Sequence, residues 1–264
     1  MKSLRIIVLL VIAEVVFSSH VPFLKPNQFT ILHNRFQVES SFTEDPFQAD
    51  FAMKSPFYYL IDGAGNQTTI SPSAETSAAV YLEPAITGSG TFRINAAQRK
   101  GPKYRGVETI EGKQYFSKDT LIVKGKKITL QYFSGADTYV CKGLPNYMAK
   151  PLNKGVEIIP LSSPNTMKVN QPYKFQVYQD GEKVAHARVV VAYDDDHYIQ
   201  KKVADLYDIE NVRKNNIHAD QDGVFTFTPE KPGLVLLFVT IHKQISDTDW
   251  ESYNNSLTLE VRMS

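Results

Sequence analysis

The sequence predicts an all-β protein made of two β-sandwich domains behind a signal peptide. Three observations carry that expectation. Nearly every apolar stretch is short and bounded by Gly, Pro, Asn or Asp. The 14 Tyr and 15 Phe, with many Val, Ile and Thr, form a strand-favouring composition. Helical spacing is confined to one stretch, "QKKVADLYDIENVRK" at 200 to 214, which reads as a short helix between strands.

The chain opens with Lys2 and Arg5, then an apolar run from Ile6 to Ala13. That run suits a secretory leader and falls well short of the roughly 20 residues of a spanning helix. Residues 1–19 therefore read as a cleaved signal peptide, with Ser18 and Ser19 offering the cut. The mature chain then starts at Ser19 or His20 and does not span the membrane. The lone Cys141 cannot make an internal disulfide, although export implies an oxidising compartment, and this combination fits a Gram-negative periplasm. Net charge is +1 with acids and bases interspersed, which argues against nucleic acid as a partner.

Strands of a first unit, 20–143, are expected at "RFQVESSF", "PFYYLID", "AVYLEP", "GTFRINA", "DTLIVKGKKITLQYF" and "DTYVCKG". The stretch 144–154 carries Pro145 and Pro151, shows no alternation and reads as a linker. A second unit, 155–264, has strands at "KGVEIIP", "PYKFQVYQDGEKVAHARVVVAYDD", "DGVFTFTP", "GLVLLFVTIH" and "SLTLEVR". Their turn spacing is that of an immunoglobulin-like sandwich. Asp180-Gly181 supplies the tight turn of a hairpin. In "LVLLFVTIH" both faces are apolar at first, and His242 emerges at the end.

Little here suggests catalysis. There is no G-x-S-x-G, no phosphate-cradling glycine pattern, and no histidine near Cys141 in sequence, so the thiol reads as a buried strand residue and the protein as a non-enzyme. Asp222-Gly223 resembles the start of a calcium loop but lacks the remainder, and a β-turn explains it. "YDDDHY" places Asp194, Asp195 and Asp196 beside His197, either a cation site or a solvated acidic loop. His33 and His186 fall inside strand patterns as ordinary surface or half-buried residues.

His20 is different, because cleavage would leave its imidazole beside a free α-amine. At position one the two can chelate one ion; at position two the intervening amide nitrogen can join them. Unperturbed pKa values of about 6.5 for imidazole and about 7.7 to 8.0 for the amine allow both to lose protons near neutrality. Such nitrogens suit nickel, copper and zinc, with copper highest in raw affinity. His242 is the second nitrogen donor expected to complete the site, with Asp222, Asp196 and His197 as candidate helpers.

"SHVPFLKPNQFTI", "TYVCKGLP", "KGVEIIPLSSPNTMKVNQPYKFQVYQDGEKVAHARVVV", "ADQDGVFTFTPEKPGLVLLFVTIHK" and "DWESYNNSLTLEVR" together resemble, in order, the DUF4198 family. The resemblance implies a periplasmic component associated with cobalt or nickel uptake, and a second sandwich that is immunoglobulin-like or carboxypeptidase-regulatory-like. It matches His20 to a histidine at the start of the mature chain, His242 to one ending the penultimate core strand, and Trp250, Glu251 and Tyr253 to a W-E-S-Y signature. The family's frequent glycine between paired strands is replaced here by His186-Ala187. The expectation is a periplasmic carrier of nickel or cobalt that hands its ion to a membrane or TonB-dependent transporter. A copper carrier and a metal-free envelope interaction module are the alternatives.

Overall fold

The computed structural model describes residues 20–33, 35–110, 114–117, 124–196 and 216–263. The expected helix at 200 to 214 and His197 lie outside them, as does the leader.

Three sheets make up the described fold. A five-stranded sheet takes the order β1 (Val21–Pro26), β2 (Val38–Thr43), β7 (Val80–Leu82), β6 (Pro72–Glu75), with β3 (Phe51–Ala52) also on β2. A four-stranded sheet joins β11 (Val156–Pro160), β12 (Tyr173–Gln179) and β13 (Glu182–Lys183), with β16 (Val224–Phe227) also on β12. Between them runs a nine-stranded sheet. Its order is β15 (Asn216–His218), β14 (Arg188–Tyr193), β17 (Gly233–Gln244), β18 (Asp249–Val261), β10 (Lys126–Lys142), β8 (Gly90–Glu108), β4 (Tyr58–Ile61), β5 (Gln67–Ile70), and β9 (Gln114–Ser117) also pairs with β8.

The two sandwiches therefore share this long sheet, crossing from one half of the chain to the other where β10 and β18 run parallel. Residue alternation assigns its faces. Phe92, Ile94, Ala96, Ala136 and Val140 point one way and pack under Leu24, Val38, Met53, Val80 and Leu82 of the five-stranded sheet and the loop beside it. Val235, Leu237, Val239, Leu257 and Leu259 point the other way and pack with Ile158, Phe175, Val177 and Phe225 of the four-stranded sheet. A third cluster joins the halves: Val21, Phe23 and Phe47 lie against Val190, Ala192, Leu236 and Phe238. Both faces of β17 are thus buried along its first half, as its two-sided apolar sequence requires.

Several local expectations meet the structure directly. Asp180 and Gly181 take φ of 51° and 88°, and Gln179 pairs with Glu182 across them, a tight turn in which glycine carries the left-handed conformation without steric cost. The strand expected at "DTLIVKGKKITLQYF", which the structure describes as strand from Lys126 on, and the one expected at "DTYVCKG" are one 17-residue strand, β10, because irregularities at Gln131/Phe133 and Ser134/Ala136 absorb the Ser134-Gly135 interruption without ending the ladder. β1 carries Pro22 and Pro26 and matches none of the expected strands, yet it pairs with β2 over its whole length. His33 and His186 are not in strands: His33 lies in an exposed bend, and His186 sits in a turn at φ 57°. His186 thus holds a left-handed backbone of the kind glycine adopts without steric cost.

Candidate functional site

His20 precedes β1 and continues its register with β2, where Val21 faces Thr43. The imidazole consequently reaches Glu44, with Nε2 3.1 Å from the carboxylate Oε1. On another side the exposed Phe51 ring meets it edge-on, centroids 4.7 Å apart. The loop that follows is fixed by the Glu44 N–H donating to Asp50 Oδ2 at 2.7 Å. His20 is half-buried, and its ring orientation is held by a carboxylate and an aromatic edge.

His242 is exposed near the end of β17 and pairs with Ser252. By alternation its side chain leaves the sheet on the face that β1 covers. Ser256 Oγ donates to the Pro22 carbonyl, and further along Arg262 Nη2 bonds Thr30 Oγ1 at 2.5 Å, so β1 follows the direction of β18. The chain therefore enters at His20 from the Ser252 side. Ser256 is paired with Phe238, and His242 is four residue steps from Phe238, about 13 Å of strand. Val21 and Phe23 are the β1 side chains turned toward that face, against Leu236 and Phe238, whereas alternation turns His20 to the other side of β1 with Leu24, where Glu44 and Phe51 are its direct contacts.

The acidic helpers are elsewhere, which corrects the expectation that Asp222 or Asp196 assists at the histidines. Asp222 is in the turn before β16, on the opposite side of the shared sheet from His242. There its exposed carboxylate meets Lys183 Nζ at 3.3 Å, while Asp220 Oδ1 accepts the N–H groups of Asp222 and Val224 at 2.9 Å each. Asp196 is buried at the other end of β17, where Asp194 N–H bonds the Leu234 carbonyl. Leu234 and His242 are eight residue steps apart, about 26 Å of strand. Asp196 Oδ2 accepts the Tyr193 N–H at 2.8 Å, and its Oδ1 lies 3.2 Å from Lys231 Nζ, which also bonds Asp195 and sits 4.6 Å over the Tyr193 ring. Burial works to lower the Lys231 pKa, but the two carboxylates outweigh it and raise it. A protein cation already occupies this acidic loop. Among the described residues no group of three or more His, Cys, Asp or Glu side chains is placed to hold a metal ion. Cys141 is buried in β10, and burial pushes its thiol upward, away from reactivity.

The structure also reveals a buried polar cluster that no sequence pattern announced. Arg93 on β8 is 4% exposed; its Nε donates to Asp137 Oδ1 at 2.7 Å and its Nη1 to Glu157 Oε2 at 2.9 Å. Glu157 in turn accepts the N–H groups of Leu152 and Asn153. Tyr147 donates to the Pro160 carbonyl at 2.6 Å and meets Tyr139 edge-on, and Asn146 accepts the Thr91 N–H. The stretch without alternation at 144–154 is thereby pinned against both halves. Between it and the β4–β5 turn lies a cavity of about 220 Å³.

The fold and these contacts define a class: a double β-sandwich on a shared sheet, with a histidine-carboxylate corner at its first strand. Residues 17–243 match the family described as "Domain of unknown function (DUF4198)", and the chain belongs to that family. No curated protein matches it. Among solved structures it is similar to the D0-D1 domain of Intimin, with 10% identity over 89% of this chain and 96% of that one, at a TM-score of 0.22. A tetra-tandem repeat in the extending region of a large adhesion protein shares 8% over 90% of this chain and 49% of that one, at 0.23. A Ca2+-stabilized adhesin that helps an Antarctic bacterium reach out and bind ice shares 9% over 92% and 74%, at 0.25. Likeness at this level transfers no architecture and no activity.

Proposed function

We propose that the protein is a periplasmic transition-metal carrier, non-catalytic, that captures nickel or cobalt at its processed N-terminus and delivers it to a membrane or TonB-dependent transporter. The observation that supports this reading is the His20–Glu44 pair. A carboxylate on Nε2 favours the tautomer whose proton lies there and leaves the Nδ1 lone pair free. Nδ1 and a free α-amine on His20 form a chelate ring around one ion, and Glu44 orients that ring from behind. His242, which leaves the end of β17 on the face that β1 covers, is the further donor of this reading, reached across the edge of β1. Asp222 and Asp196 have no part in it, being held at other points of the fold.

The same chelate also takes copper, which the Irving–Williams order favours in raw affinity. Calorimetric titration of correctly processed protein with nickel, cobalt and copper separates the readings. Binding of nickel or cobalt that disappears in His20→Ala supports the carrier; equal binding by wild type and variant removes the site. Copper binding alone points to a copper carrier or scavenger instead.

A further inference from the structure

The geometry points to a second site, unrelated to the histidine corner: the cavity beside Arg93 binds a small neutral polyol, of the size of a single sugar ring. Three features of this cavity carry the inference. Arg93 lines it, and of the three guanidinium nitrogens only Nη2 has no protein partner among the described residues, since Nε and Nη1 are used by Asp137 and Glu157. A buried donor of this kind demands an acceptor. Thr91 lines the same space, and the Lys150 ammonium group lies over the turn at Gly65; a Cβ built there would stand 2.7 Å from Lys150 Nζ. Gly65, at φ 90°, keeps that approach open.

Charge then selects the class of ligand. Arg93 and Lys150 are set against Asp62 on the rim and Asp137 and Glu157 behind, one negative charge in excess. That excess opposes an anion. A cation finds no free carboxylate oxygen. Both oxygens of Asp62 accept bonds from Ala64 and Asn66, those of Asp137 from Arg93, Asn95 and Asn255, and those of Glu157 from Arg93, Leu152 and Asn153. What remains is a donor at Arg93, a hydroxyl at Thr91, a long flexible donor at Lys150 and the side chains of Tyr139 and Tyr147. Groups that both accept and donate, as ring hydroxyls do, fit that set.

Saturation-transfer NMR on the full mature protein in metal-free buffer, with D-glucose, N-acetylglucosamine, sorbitol and sodium acetate as separate probes, tests this. The expected result is millimolar binding of at least one neutral probe, weakened tenfold or more by Thr91→Val, which keeps the shape and removes the hydroxyl. Met148→Trp, at an exposed position on the lining, abolishes it by filling the mouth. Both variants keep the wild-type thermal midpoint. Binding of acetate alone, no binding of any probe, or neutral binding unchanged in both variants overturns the inference.

Discussion

Arg93 and Glu157, 64 residues apart in sequence, are joined at 2.9 Å across the seam between the two halves of the chain. Both side chains are almost fully buried, and Asp137 holds the other edge of the guanidinium. Removing one partner of a buried pair strands the other in a poor dielectric, at a cost of about 3–5 kcal/mol. Glu157→Ala should therefore lower unfolding stability by that amount, and it also frees the Leu152 and Asn153 amides. Lys54 and Glu75 are as close, at 2.7 Å, but both are exposed, and Lys54→Ala should cost about 0–1 kcal/mol. Denaturant unfolding of the two variants measures the contrast; similar losses would show that the cluster is not a seam.

Tyr139 lies beneath that cluster, and burial pushes its phenol from 10.0 up to about 12, with the Arg93 charge pulling the other way. The unfolded chain then ionises first, so between pH 10 and 12 it binds fewer protons than the native state. Stability contributed by the neutral phenol is intact below pH 10 and is lost as pH rises through that window. Tyr139→Phe removes the titrating group. Its unfolding free energy should fall less steeply than that of the wild type over the same interval, as read from urea midpoints at successive pH values.

The legible parts of this fold were those written in local pattern. β17 showed two apolar faces and a histidine at its exit, and the Asp180-Gly181 turn announced its hairpin. Elements fixed by distant partners were opaque. Arg93 alternates with Phe92 and Ile94 and so reads as a solvent-facing residue; only the pairing of β8 with β10 and the packing of β11 over both turn it inward. Glu157 sits within an apolar strand, a charge out of place that could have been noticed. The His20–Glu44 contact follows from an antiparallel register that no short-range signal encodes. Asp222 and Asp196 drew attention as acids near glycine or histidine, while their carboxylates serve turn geometry and a lysine.

β1 is the strand the local pattern hid, since its two prolines argue against a ladder. Its Phe23 is fully buried, edge-on to Phe47 at 5.7 Å, in the cluster that ties the halves together. Phe23→Ala should cost about 3–5 kcal/mol through lost burial and the remaining cavity. Because β1 carries His20 into place, the same variant should weaken metal capture if the N-terminal chelate is the site. Unfolding midpoints and nickel titration on one preparation read both effects, and a marginal stability loss would mean that β1 is only loosely attached.

Glu44 separates a positioned imidazole from a merely available one. A free amine and an N-terminal histidine bind metal in any unfolded peptide, so affinity of that origin is indifferent to residue 44. If Glu44 fixes the tautomer and ring of His20, Glu44→Gln should reduce nickel or cobalt affinity by about 10- to 100-fold, the usual effect of removing a carboxylate behind a ligating histidine. His242→Ala should reduce it further only if that side chain completes the coordination. Titration of the processed wild type, Glu44→Gln, His242→Ala and the double variant gives the coupling between the two residues. Equal affinities throughout would reduce His20 to a peptide-like chelate with no help from the fold.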